Sequence, residues 1–336
     1  MGDKKRLYIT KINRITFDSI IRSTKSLKGI KKSEELLEIF KNHNLLITDE
    51  SRFKTMISNT GYYHISGYRR VFLDSFESNS WSGKYVTGVT DDNLAELIYC
   101  DNELGKILLN YANKIERKLK SRSAYFLSQL LNEDFHLKSS NFKNLSYWKE
   151  SFSSTYIRVL STGEEEENPV ILHHERNYDS KLPIWVFFEH ISFGDYIKFM
   201  KNLSLDIQSK TFDDIFHSKN SQYPIRDYMS AAAILDFLYI VKMVRNRISH
   251  LGRIYDWTFH YNIGSKSFTE EFNYLFDPTK NDYTFRDIID VFGFFLNKSE
   301  YELMMKDITE VIVRIETFIP SPYSDRIINF MGYLII

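Results

Sequence analysis

A single cysteine, Cys100, occurs among 336 residues. One thiol can form neither an internal disulfide nor a cysteine-rich zinc site, so the chain is expected to work in a reducing compartment. No signal-peptide pattern opens the sequence, which adds to the expectation of a cytoplasmic protein. Long apolar runs are lacking too. The longest, from Ala231 to Val244, is interrupted by Asp236 and Lys242 and falls short of the ~20 residues that a membrane span needs. A soluble protein with no membrane partner is therefore expected. Net charge of one sign is also missing, since 44 basic residues balance 44 acidic ones. The total therefore says nothing about nucleic acid, and only the distribution of charge can. Proline is scarce at six, and Pro169, Pro183, Pro224, Pro278 and Pro320 are spaced as breaks between long periodic segments. Hydrophobic residues at 43% and charged residues at 26% exclude intrinsic disorder and low complexity.

Charge is concentrated at two places. Residues 1–32 hold ten Lys or Arg against Asp3 and Asp18, a surplus of +8 that the remaining chain cancels. A second cluster comprises Lys114, Arg117, Lys118, Lys120 and Arg122, with Glu116 the only acid in the interval. Both could meet phosphate, or both could be solvated faces.

Periodicity predicts a mainly α protein without internal repeats. From residue 101 to 131, Leu104, Ile107, Leu108, Tyr111, Ile115, Leu119 and Phe126 keep three- and four-residue steps, an amphipathic helix with the basic cluster on its outer face. From 226 to 250, Ile234, Leu235, Leu238, Val241, Val244 and Ile248 repeat the period, and Gly252 stands where such a helix would stop. The two apolar stripes are expected to pack on each other. Further helices are predicted at 33–43, 49–58, 189–204, 285–297 and 299–318. Residues 91–93 and the acidic run at 161–168 read as loops. The resulting division is a basic segment at 1–32, a helical region at 33–90 and a larger helical domain at 91–336, with a loop insertion near 161–180.

Candidate chemistry gathers at the end of the second helix, in Val244-Arg245-Asn246-Arg247-Ile248-Ser249-His250. At about 100° per residue, Asn246 and His250 lie within about 40° of one another on the helix surface. Arg245 is further round, with a side chain long enough to reach across. An imidazole near a guanidinium suits phosphodiester cleavage in RNA, with His moving protons and Arg holding the phosphorane charge. A solvated helix C-terminus, where cations are favoured by the dipole, is the competing reading. His173, His174 and Glu175, with Glu189 and His190, give no convincing metal site. Tyr62, Tyr63 and Tyr68 could stack on bases, or could pack in a core.

The stretch Leu238 to Trp257, with its Arg-Asn-x-x-x-His, resembles the signature of abortive-infection proteins of the AbiD/AbiF type, members of the HEPN (higher eukaryote and prokaryote nucleotide-binding) superfamily. Gly61 to Tyr68, 101–127 with its Ile115-Glu116 pair, Leu182 to Asp195 and Met331-Gly332-Tyr333 match in the same order, so the resemblance covers roughly residues 30–336. It departs at Leu251, where another polar residue or His is common. The resemblance implies a HEPN-type helical bundle with an additional N-terminal helical region, and it puts Arg245 and His250 on the catalytic pair with Asn246 orienting them. It further implies a homodimer with two motifs facing one cleft, and a phage-defence toxin cutting RNA without metal or other cofactor, bound to a small structured noncoding RNA. Lys114, Arg117, Lys118, Arg122, Arg247 and Arg253 would then contact RNA, and Glu116 and Glu189 would support the motif Arg. An RNA-binding effector or scaffold without cleavage activity is the alternative.

Overall fold

The computed structural model describes residues 29, 31–74, 83–216, 229–260 and 282–333. Apart from Gly29, Lys31 and Lys32, the basic segment at 1–32 lies outside them. Thirteen α-helices, three short 3-10 helices, one π-helical stretch and one pair of two-residue strands make up the regular structure of the described residues. The chain opens with α1 (Ser33–Asn42), α2 (Glu50–Thr60) and the short α3 (Tyr62–Gly67). Asp49 caps α2 by accepting from the Arg52 amide at 3.0 Å. Lys32 precedes α1, and its amide donates to Glu35 at 2.8 Å.

The organising element is α4 (Asp91–Leu131), 41 residues and thus about 60 Å long. It begins ten residues earlier than its apolar stripe predicts, and residues 91–93 are its first turn rather than a loop. Two local features cause this. The Thr90 hydroxyl accepts from the Asn93 amide at 3.3 Å while Asn93 accepts from the Thr90 amide at 3.1 Å, a reciprocal cap. Asp91 is buried, yet its carboxylate is satisfied by Thr48 at 2.8 Å and Arg52 at 3.1 Å.

The acidic run expected to be a loop insertion near 161–180 is helical: α5 (Ser153–Glu165) and α6 (Pro169–Tyr178) form a hairpin. Glutamates are good helix formers, and only Glu166 and Glu167 make the turn. Asn168 then accepts from the amides of Val170 and Ile171, with Pro169 at the first helical position. Gly163 lets the hairpin close, because a Cβ there would lie 2.6 Å from the Ile171 side chain.

The single helix predicted over 189–204 is interrupted near its start: α7 (Ile184–His190), most of which precedes that range, ends before α8 (Phe193–Asn202) begins. Ile191 and Ser192 are extended, and the Ser192 hydroxyl caps α8 by accepting from the Asp195 amide at 3.1 Å. Next come α9 (Leu205–Phe216), which lies outside the predicted helices, and α10 (Ala231–Ser249), capped by Ser230. Strands β1 (Phe259–His260) and β2 (Asp282–Tyr283) pair antiparallel. The helix α11 (Phe285–Gly293) stops short of the predicted 297, where Asn297 instead caps α12 (Lys298–Phe318). The last element is α13 (Tyr323–Phe330).

Helices α7, α9, α10 and α12 all pack against α4, so α10 meets it as expected. Gly105 permits close approach, since a Cβ there would touch Ile248 of α10 at 3.4 Å. One hydrophobic core runs from Leu37 to Met331. An aromatic cluster under α7 encloses His136, which stacks on Phe187 at 5.7 Å and packs edge-on to Phe135. Among the described residues, no helix is long and apolar enough to cross a membrane.

Candidate functional site

Helix α10 buries Ile234, Leu238, Val241 and Val244 and carries the polar sequence Arg245 to His250 out of the core. Its ending is a left-handed cap. The His250 amide donates to Asn246 O at 3.1 Å, Leu251 takes φ +56°, and the Gly252 amide donates back to Arg247 O at 2.8 Å. Leu251, not a glycine, thus occupies the left-handed position, and Gly252 follows it.

The loop beyond the cap is held by a buried carboxylate. Asp101 of α4 accepts from the amides of Ile254 at 3.0 Å and Tyr255 at 2.7 Å, and from the Tyr68 hydroxyl at 2.7 Å. Burial pushes the Asp101 carboxyl above its ordinary value, against the opposing effect of the Tyr68 bond. Tyr68 stacks on Tyr255 with centroids 5.9 Å apart, and burial raises both phenols. The segment Gly61 to Tyr68 therefore reaches the motif loop through Asp101. Sequence reasoning missed Asp101 and Tyr255 as site residues. The signal was available for Asp101, an acid that falls on the same face as Leu104 and Leu108.

Arg245 leaves the opposite side of α10 and enters a cleft between α4 and α7 of about 860 Å³. Its Nε lies 3.3 Å from Glu116 Oε2 and 3.4 Å from Asn113 Oδ1. Glu116 also holds Lys120 at 2.6 Å, and Lys120 in turn donates to Ile191 O at 2.6 Å. Arg117 and Glu189 line the same cleft. The structure thus brings Arg245, Glu116, Glu189 and Arg117 together. Asn246 and His250 do not line this cleft. Arg245 and His250 are five positions apart, about 140° round the helix, and the guanidinium is engaged by Glu116. His250 is exposed at the helix end.

The basic cluster of α4 does not form one outer face, because neighbouring helices cover most of this central element. Lys118 is half-buried, donates to Phe295 O at 3.3 Å and is pushed below its ordinary value by burial. Arg122 donates to Asp214 O at 3.1 Å and Ile215 O at 3.0 Å. Lys114, over the Tyr111 ring at 4.5 Å, and Arg117 are exposed. Arg247 lies over Trp257 at 4.6 Å and bonds to Arg253 O, and burial lowers it. Arg253 pairs with Asp256 at 3.4 Å and lies over Tyr68 at 5.5 Å. Both arginines thus brace the motif loop. Of the three tyrosines, Tyr68 is buried, Tyr62 is half-buried against Phe40, and Tyr63 is exposed. Among the described residues no three His, Cys, Asp or Glu side chains are grouped to hold a metal ion.

Residues 55–256, more than half the sequence, match the family described as Abi-like protein. The chain belongs to the Abi-like family. The match takes in Asp101, the α4–α7 cleft and the motif helix, and it ends at Asp256 within the anchored loop. Membership points to abortive infection, a form of phage defence. No curated protein and no solved structure matches the chain.

Proposed function

We propose that this Abi-like protein is a HEPN-type RNA effector of phage defence that cleaves RNA without a metal, using Arg245 and His250, and that it is bound to or controlled by a small structured noncoding RNA. The observation that carries the reading is Arg245 in the α4–α7 cleft. Glu116 and Asn113 approach its Nε, and the side chain stays about one-third exposed, so its terminal amino groups can meet a phosphate. In the cleavage step the RNA 2′-oxygen attacks phosphorus and the P–O5′ bond breaks. Arg245 holds the charge of the phosphorane, and His250 takes the proton of the 2′-hydroxyl or delivers one to the departing 5′-oxygen. The products are a 2′,3′-cyclic phosphate and a 5′-hydroxyl. Because His250 does not line the cleft of its own chain, this chemistry calls for a homodimer in which a second α10 end supplies the imidazole.

The same geometry also favours the second reading, an RNA-binding effector without cleavage, since the cleft holding Arg245 contains no His250. One experiment separates them. With purified protein, His250→Ala should abolish cleavage and growth arrest while leaving RNA affinity within about twofold, because a proton-transfer group contributes little ground-state binding. Cleavage should persist in EDTA, and a DNA strand of the same sequence should survive. A His250→Ala protein as toxic as the parent would end the nuclease reading and leave the binding one.

A further inference from the structure

The cleft extends well beyond Arg245, and its two ends differ in chemistry. On α4 it follows the ridge from Asn113 through Arg117, Ser121 and Tyr125 to Gln129, a row of four-residue steps about 24 Å long. The opposite wall is α7, and two hydrogen bonds fix its direction. The Ile184 amide at its start donates to Glu133 O at 3.1 Å, just beyond the C-terminus of α4, while Ile191 O at its end meets Lys120. The two helices are therefore antiparallel. Glu189 faces the charged end with Glu116, Lys120 and Arg245, and Trp185, one turn earlier, faces the other end with Tyr125 and Gln129. That second end carries no charged side chain, only the uncharged donors and acceptors of Ser121, Ser128 and Gln129 beside two rings. Trp185 is 49% exposed and Tyr125 67%, large aromatic area that the core does not use.

We propose that the Tyr125–Trp185 end of the cleft is a stacking platform for unpaired bases, so that the RNA held here is single-stranded, with a phosphate on Arg245 and a base a few nucleotides away on the two rings. Tyr125 lies nine residues from Glu116, about 14 Å along the helix. Aromatic faces bind every base, since each has a π-face, whereas a paired base keeps its faces inside the duplex stack. The charged end supplies the phosphate contact, and the uncharged end avoids repelling or misdirecting the bases while offering hydrogen bonds to their edges. This inference rests on the RNA reading above and names its substrate class.

The test uses the whole protein and a short 2′-O-methylated single strand, which cannot be cleaved, with binding read by fluorescence anisotropy over a salt series. Trp185→Ala and Tyr125→Ala should each weaken binding about 5- to 100-fold, the range expected for losing one base stack. Trp185→Phe and Tyr125→Phe should restore most of it. The slope of log affinity against log salt should stay unchanged in all four, because no phosphate contact is removed. A duplex of the same sequence should bind more weakly and be indifferent to the alanine variants. If the parent binds the single strand and both alanine variants bind equally well, the platform is overturned while the RNA reading stands. If the parent binds no RNA, both fall. Equal sensitivity of duplex and single strand to Trp185→Ala would also overturn the platform.

Discussion

His136, enclosed by the aromatic rings under α7, has its imidazole pushed down to about 4 by burial, from an ordinary value near 6.5. The unfolded chain takes up this proton at a higher pH than the folded one. Between those two values the unfolded state binds more protons, so stability is lost as pH falls from about 6.5 towards 4. From pH 7 to pH 5 this one ring should cost the fold about 2 kcal/mol. His136→Phe keeps a ring against Phe187 and removes the titration. Urea unfolding at the two pH values should show a smaller difference for the variant than for the parent, and equal differences would assign the acid sensitivity elsewhere.

At the scale of elements, the ending of α10 holds a residue unsuited to its conformation. Leu251 has φ +56° and is 76% exposed, so its side chain contributes little burial to offset a left-handed backbone that costs a non-glycine residue about 1 kcal/mol. Leu251→Gly should raise the urea midpoint by an amount corresponding to about 1 kcal/mol with the slope unchanged. A lower midpoint would mean that Leu251 is covered in solution, by a second copy of the chain for instance. Helices α4 and α10 were legible because their apolar stripes run for several turns, and the length of such a stripe outweighs single residues. Boundaries fell within two residues of the expectation at 33–43, 49–58 and 299–318, but not at the start of α4. The reciprocal Thr90–Asn93 cap lies outside the apolar stripe that defined α4. The helix predicted over 189–204 runs across Ser192, which caps α8, and takes in only the last two residues of α7. The acidic run was judged by its composition, whereas Asn168-Pro169 marked the start of α6.

For the molecule as a whole, the placement of basic residues matters more than their number. Lys114 and Arg117 are exposed, while Lys118 and Arg122 tie α4 to the carbonyls of Phe295, Asp214 and Ile215. Replacing Lys114 and Arg117 with Gln should lower the salt slope of RNA binding by up to about two units, one for each lost phosphate contact, and leave stability intact. Replacing Lys118 and Arg122 should do the reverse, leaving the slope and lowering the urea midpoint. A reduced slope in the second pair would place those side chains on RNA. The candidate site was legible in the same uneven way. Arg245, Glu116 and Glu189 could be named from the sequence because a motif marks them, and the cleft does collect them. Trp185 and Tyr125 could not, since a ring left in solvent looks like any core aromatic until the surrounding helices are in place.

The two anchors of the motif helix share a single rod. Asp101 fixes the loop after His250 and Glu116 engages Arg245, and both project from α4, fifteen residues apart. The α4 backbone thus acts as a ruler, and its graduations are helical turns. Adding one residue between the two acids would swing one anchor by about 100° relative to the other, and adding a whole turn would restore the direction but shift it by about 5 Å. The interval from Asp101 to Glu116 cannot change by even one residue without detaching one end of the Arg-Asn-x-x-x-His segment from the bundle.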